Sequence, residues 1–323
     1  MQVSSVTIPL ERRNVNDSAP LFTSGADSIL RTAEVVGDAW SWLVMREAIL
    51  HGCTRFAELQ ARLGVPRSTL SARLAQLTTA GLLTRNEQGG EYLLTEAGRD
   101  FLACLLLAMR WGDRWHFRPE TRPQKGIHVP CGGALEAVLR CAHCREVVGA
   151  REVKTSPGEP LTKPTIAAVN QVRRRRPGLE LLERNRPCSI ARTLMVTGEW
   201  WSGLIVRECF FGTRRFDDFQ RRLHIAPNIL SQRLQRLVML GILAKVADDS
   251  WSVRHEYRLT AKGADLYPVP LAIMTWGRRW LGPAESDTTL THTTCGADLQ
   301  PVLSCAACAQ PLSRENITLE DEQ

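Results

Sequence analysis

The chain carries its own sequence twice, so any fold it adopts must accommodate two copies of one unit. Residues 37–47, GDAWSWLVMRE, return as residues 198–208, GEWWSGLIVRE, and residues 55–60, RFAELQ, return as residues 215–220, RFDDFQ. Each copy closes on the same pattern, His128-x2-Cys131-x9-Cys141-x2-Cys144 in the first and His292-x2-Cys295-x9-Cys305-x2-Cys308 in the second. The repeat sets one copy at residues 27–158 and the other at 188–319, each within the ordinary domain range, with an arm at 1–26 and a linker at 159–187.

At 323 residues the chain is long enough for two domains that each bury a core. Its formal net charge of +7 favours a polyanionic partner, although a basic solvated surface has the same composition. Six of the ten cysteines sit in the two repeated clusters. No secretory leader is expected at the start, and the longest apolar run, Phe101 to Met109, is far too short to span a bilayer. The expectation is a cytoplasmic, nucleoid-associated protein that does not engage membranes and keeps its thiols reduced. In that compartment paired thiols bind metal more often than they bridge. No nucleophile–base set, phosphate-cradling glycine loop or open metal site points to an enzyme.

Periodicity predicts a first helix from Ile29 to His51, stopped by Gly52. A short second helix follows, with Thr54 as a plausible N-cap. Gly64-Val65-Pro66 makes a turn, a third helix runs from Ser68 to Ala80, and Gly81 ends it. Two strands, 82–85 and 91–95, flank a glycine-containing turn, and a long apolar helix occupies 96–115. The second copy repeats the order at 190–211, 216–223, 228–240, 242–245 with 256–260, and 261–280, with a wing loop five residues longer. Helix, short helix, turn, helix, hairpin, helix is the winged helix-turn-helix plan. The predicted class is therefore mainly α with small β wings (α+β).

Both copies resemble the HxlR family of bacterial winged-helix regulators. The residues that carry the likeness in the second copy are Gly198 with Trp200 and Trp201, Arg215-Phe216 with Phe219, Leu230, Ser231, Arg233, Leu234 and Leu237, Gly241, and Tyr257, Leu259 and Thr260 with Gly263. The first copy supplies Gly37, Trp40, Arg55-Phe56, Glu58, Leu59, Leu70, Ser71, Arg73, Leu74, Gly81, Tyr92, Leu94, Thr95 and Gly98. The resemblance implies double-stranded DNA as partner and a transcriptional regulator, by default a repressor. Members usually carry one domain and pair as homodimers. Fusion of two implies an intrachain pseudo-dimer, acting as a monomer or associating further.

At about 100° per residue, Leu70, Leu74 and Leu77 fall on one stripe of the third helix and must be core, as must Leu230, Leu234 and Leu237. The opposite stripe is Ser68, Ala72 and Ala75 in the first copy, flanked by Ser71 and Gln76, and Asn228, Gln232 and Gln235 in the second, flanked by Ser231 and Arg236. A recognition helix offers that stripe to base edges. Asn and Gln pair bidentately with adenine, whereas Ala offers only contact with a thymine methyl. Unequal half-sites are therefore expected, with the second copy the more discriminating. Phosphate contacts are expected from Arg55, Arg67, Arg73, Arg214, Arg215, Arg233 and Arg236, and wing contacts from Arg85, Arg254 and His255. The plain alternative is that these polar residues face water or pair on the surface.

Four thiolate and imidazole ligands suit tetrahedral zinc, and a two-residue gap lets a knuckle present two of them. The spacing predicts a structural Cys3His zinc-knuckle-like appendage in each copy, His128, Cys131, Cys141 and Cys144 in the first and His292, Cys295, Cys305 and Cys308 in the second, giving two zinc ions per chain. Gly132 and Gly296 suit the tight knuckle backbone. Free thiols, or a disulfide between Cys141 and Cys144, are the alternatives. Longer HxlR-like proteins also carry such tails.

Cys188 precedes the second copy's first helix, where the resemblance places a cysteine that senses oxidants in some members. A small buried side chain is the plainer reading. Cys53, Cys104 and Cys209 read as packing. Trp40, Trp111, Trp115, Trp201, Trp276 and Trp280 recur at matching or equivalent places. They suit a core or an interface between the copies. A small-molecule effector lodged near them, or a switch at Cys188, is the rival to a plain DNA-binding regulator.

Overall fold

The computed structural model describes residues 28–86, 88–156, 177–247, 255–282, 284 and 287–320. The arm at 1–26, most of the linker including Arg173 to Arg176, and Arg254 of the second wing lie outside the described residues.

In the first copy α1 (Ser28–Val36) and α2 (Ala39–His51) replace the single helix expected over 29–51. The break falls at Gly37-Asp38. Asp38 is extended, with φ −105° and ψ 134°, and its carboxylate accepts from the Trp40 and Ser41 amides. A side chain that satisfies these orphan donors starts a new helix. Then come α3 (Phe56–Leu63), α4 (Arg67–Thr79), β1 (Leu83–Arg85), β2 (Tyr92–Leu94), α5 (Glu96–Asp100) and α6 (Leu102–His116). Arg55, not Thr54, stands at the N-cap of α3 and makes no side-chain cap bond. The first appendage comprises β3 (Gly126–His128), β4 (Gly133–Ala134), β5 (Ala137–Cys141) and β6 (Val153–Thr155).

After a short α7 (Leu179–Leu182) the plan repeats as α8 (Ser189–Thr197), α9 (Trp200–Phe210), α10 (Phe216–Leu223), α11 (Pro227–Met239), β7 (Leu243–Ala247), β8 (His255–Leu259), α12 (Ala261–Ala264), α13 (Pro268–Trp280), β9 (Leu290–His292), β10 (Pro301–Cys305) and β11 (Ile317–Leu319). Here too the first predicted helix is split, and Glu199 caps α9 through the Trp201 and Ser202 amides. Wings β1–β2 and β7–β8 are antiparallel hairpins. The leucine stripes of α4 and α11 are fully buried, as the periodicity required.

The copies interlock. Helix α13 packs on α1, and α6 packs on α8, so each copy's last long helix lies on the other's first. Gly112 and Gly277 make these crossings close. A Cβ on Gly112 would overlap the Ser189 carbonyl, and one on Gly277 would overlap Thr32. The recurring tryptophans of α6 and α13 stitch across the same boundary. Trp111 Nε1 donates to Lys262 O at 3.0 Å and Trp115 Nε1 to Asp265 at 2.8 Å. Their counterparts Trp276 and Trp280 donate to Ala97 O at 2.9 Å and Asp100 at 2.8 Å. The appendages exchange strands as well. Strand β5 pairs with β10 antiparallel, centred on Leu139 opposite Leu303, while β6 pairs with β9 and β3 with β11.

Candidate DNA interface and thiol centres

Each recognition helix, α4 and α11, rests on its leucine stripe and is fixed from the side by polar ties. Arg73 Nε lies 2.9 Å from Asp38, and Gln76 Nε2 donates to Val35 O at 2.8 Å. In the second copy Arg233 Nε lies 3.0 Å from Glu199, and Arg236 Nη2 reaches Met195 O at 3.5 Å. Arg73, Arg233 and Arg236, expected at phosphates, thus also have partners within the chain. The acid that caps α2 or α9 faces the flank of the recognition helix and takes the arginine there. These arginines position the helix. The sequence alone gave no signal that Asp38 and Glu199 would do both jobs.

Ser68, Ser71, Ala72 and Ala75 are exposed on α4, as are Asn228, Gln232 and Gln235 on α11, while Ser231 is half-buried. The Gln232 amide oxygen accepts from Arg233 at 3.3 Å. Pro66 and Ala226 precede these helices and offer no side-chain cap, which leaves the first amides available to an anion. Arg67 is exposed beside them with its guanidinium 5.1 Å from the Phe56 ring. Arg55 is exposed and pairs with Glu91 at 3.1 Å; Arg215 is exposed 3.8 Å from Glu256, and Arg214 is exposed next to it. On the wings Arg85 is exposed against Tyr92, and His255 is exposed at the start of β8. Sequence reading missed His224, an exposed residue in the α10–α11 turn held at φ 45° where the first copy has Gly64.

The eight cysteine and histidine ligands come together, but in a grouping the spacing did not predict. His128 and Cys131 meet Cys305 and Cys308, and Cys141 and Cys144 meet His292 and Cys295. Each cluster takes one ligand pair from each copy, which corrects the expectation of a self-contained Cys3His set per copy. The cause is strand exchange. Cys141 ends β5 and Cys305 ends β10, so their antiparallel pairing sends the two Cys-x2-Cys knuckles to opposite ends. There each meets the other copy's His-x2-Cys turn.

The donor atoms of each cluster lie within 4.8 Å of one another. His128 Nδ1 is 3.3 Å from the sulfurs of both Cys131 and Cys308, and Cys131 lies 3.9 Å from Cys305. His292 Nδ1 is 3.2 Å from Cys144 and 3.4 Å from Cys295, and Cys141 lies 3.9 Å from Cys295. Ordinary zinc–sulfur and zinc–nitrogen bonds give tetrahedral edges of roughly 3.8 Å and 3.6 Å, so the donor sets fit such an ion. Gly132 and Gly296 adopt φ of 64° and 71° in the turns, where a glycine was expected to be needed.

Cys188 is buried. Its sulfur receives the Ala191 amide at 3.4 Å and Arg46 Nη1 at 2.7 Å. Arg46 also pairs with the buried Glu47, which Arg62 and Arg186 contact as well. Burial opposes ionisation of Glu47, but Arg46, the Arg62 hydrogen bond and Arg186 outweigh it and hold its pKa at about 2. Burial pushes the Cys53 thiol up to about 11 and raises Cys104 and Cys209 as well, which fits inert packing residues.

The HxlR-like helix-turn-helix profile matches residues 35–120 and 196–285. Rv3095 of Mycobacterium tuberculosis, named an HTH-type transcriptional regulator, is 43% identical over 137 residues, which is 41% of this chain and 86% of the relative. YvaP of Bacillus subtilis, also named an HTH-type transcriptional regulator, is 33% identical over 88 residues, 27% of this chain and 82% of the relative. A solved structure from Pseudomonas aeruginosa, PA1374, described as a candidate transcription factor, is 37% identical and covers 42% of this chain and 92% of its own, with a TM-score of 0.31. Each of these relatives corresponds to less than half of the present chain. Among the described residues no helix is long and apolar enough to cross a membrane.

Proposed function

Because the chain belongs to the HxlR-like helix-turn-helix family, whose named relatives are transcriptional regulators and not enzymes, we propose that it binds double-stranded DNA sequence-specifically and represses by occluding promoters. In this reading the two helix-turn-helix units of one chain engage two unequal half-sites. The observation that carries it is the pair of outward faces, Ser68, Ser71 and Ala72 against Asn228, Gln232 and Gln235, mounted on equivalently anchored helices. Arg55, Arg67, Arg85, Arg214, Arg215 and His255 serve the backbone. One chain needs no association step to present both units, so a monomer acts as the binding unit, in the cytoplasm and on the nucleoid.

Zinc in the two thiol clusters is part of the same proposal. His128, Cys131, Cys305 and Cys308 would hold one ion and Cys141, Cys144, His292 and Cys295 the other, cross-linking the copies. With four protein ligands the role is structural.

Selection of binding sites from random duplexes tests the DNA reading. Recovery of two half-sites, one richer in information, supports it; two equally specified half-sites sink the asymmetry. Binding that does not weaken as salt rises, or no duplex binding at all, would reject the DNA interface itself. A sensor is the second reading. Cys188 is only 4% exposed and held by Arg46, so a cavity, rather than this thiol, favours it.

A further inference from the structure

We propose that a cavity beside Gly203 is a binding site for a small, uncharged, planar aromatic molecule, and that its occupancy changes the chain's affinity for DNA; the second half of this proposal rests on the DNA-binding reading. The two copies treat the same core position differently. In the first, Trp42 and Phe101 pack edge to face with ring centroids 4.9 Å apart, and Phe101 meets Trp276 at 5.8 Å. The matching residues of the second copy are Gly203 and Leu266, so two large rings have been replaced by a hydrogen atom and an isobutyl group. Both line a cavity of about 80 Å³.

Gly203 lies inside α9, where glycine weakens a helix. Backbone geometry does not require it. A Cβ there would stand 3.4 Å from Thr197 O, an ordinary contact, unlike the overlaps at Gly112 and Gly277. The empty space is the consequence that remains. Its other walls include Leu30 and Ala33 of α1, Leu194 of α8, and Pro270 and Ile273 of α13. Arg207 at the wall is paired with Glu208 at 2.8 Å, so no uncompensated charge invites an ion. An enclosed apolar cavity of about 150 Å³ takes up benzene; this smaller, partly open space admits a flat ring when its lining side chains shift outward or the ring lies partly in its mouth. Trp42 borders the space and supplies an aromatic face or edge to a flat guest.

The walls also connect to the recognition helices. Helix α1 carries the Val35 carbonyl that holds Gln76 of α4, and α8 carries the Met195 carbonyl that meets Arg236 of α11. A guest lodged between α1, α8 and α9 acts on the supports of both recognition helices at once. It shifts DNA affinity to the extent that the DNA-bound and free arrangements differ at this cavity.

The test uses the full-length, metal-replete chain and indole as probe. Calorimetry is expected to show saturable binding of one indole per chain, with a rise in melting temperature. Leu266→Phe, which installs the first copy's residue, should weaken binding by about tenfold or more. Gly203→Trp should raise the melting temperature without ligand and abolish binding; if that variant does not fold, Leu266→Phe still decides. Affinity for a duplex recovered by selection should change about fivefold or more with indole in the wild type and not in Leu266→Phe. No saturable binding, or equal binding by Leu266→Phe, overturns the site. Binding without a change in DNA affinity overturns its regulatory role. A chain that binds indole but no duplex refutes the DNA reading and the regulatory half while leaving the cavity site standing.

Discussion

The two copies share their supports and differ in what those supports carry. Asp38 with Arg73 and Glu199 with Arg233 perform the same anchoring task, and the cross-copy tryptophan bonds recur pairwise. Against that constant frame the outer face of the recognition helix changes from small residues to amides. The Trp42–Phe101 pair gives way to Gly203 and Leu266, and Glu47 gains Arg186 from the segment before α8. Duplication within one chain removes the symmetry constraint of a homodimer, in which any substitution appears twice. One copy can then change its reading face or its core while the other keeps the older arrangement.

The largest effects should come from the thiol clusters, where binding of a structural zinc ion is worth on the order of 10 kcal/mol. The composite grouping makes an unusual prediction for double substitutions. Cys131→Ser with Cys141→Ser, both in the first copy, should damage both clusters and take zinc from two ions per chain to nearly none. Cys131→Ser with Cys305→Ser should damage one cluster and leave one ion. Metal analysis of purified, reduced protein reads the difference, and the opposite pattern would restore a self-contained site in each copy.

Next in size is the buried carboxylate pair. Removing one partner from a buried ion pair typically costs about 3–5 kcal/mol. Glu47→Ala strands Arg46 against Cys188 and loosens Arg186, whereas Glu208→Ala acts within the second copy on Arg207 and Arg222. Glu47→Ala should therefore lower denaturant midpoint more than Glu208→Ala, and an equal drop would show that the tie to the pre-α8 segment adds nothing. On the DNA side, Gln232→Ala should cost about 1–3 kcal/mol and relax one base position of one half-site. Ala72→Gln should sharpen the other half-site, and quantitative binding to single-base variants of the selected duplex separates the two.

The smallest expected effect is on pH dependence. Burial, with added repulsion from Arg186, Arg62 and Arg46, lowers His51 from 6.5 to about 4 despite the attraction of Glu47. The folded state thus prefers neutral His51. Its contribution is complete above about pH 6.5 and is lost as pH falls towards 4. His51→Phe, the residue at the matching place of the second copy, should flatten the fall in melting temperature over that window. Asp113, raised by burial to about 6, runs with the opposite sign and is common to both proteins, so their difference isolates His51. Identical curves would remove His51 from the acid response.

The helical order, the leucine stripes, the two wings and the identities of all eight metal-type ligands were legible in the sequence because each depends on local periodicity, turn chemistry or fixed spacing. The breaks at Asp38 and Glu199 were less so, since an acid within an apolar helical pattern gives no sign of becoming a cap. The flanking arginines show the same limit. The sequence does not announce that Arg73, Arg233 and Arg236 meet a facing acid or carbonyl of their own copy.

By itself the sequence determined that there are two winged helix-turn-helix copies, which residues are core, and which stripes of α4 and α11 face outward, because a 3.6-residue repeat sorts side chains without reference to any neighbour. Only the tertiary structure decided which ligand pairs join. Spacing reports the distance between residues along the chain, and antiparallel pairing of β5 with β10 carries each Cys-x2-Cys knuckle away from its own copy and into the other.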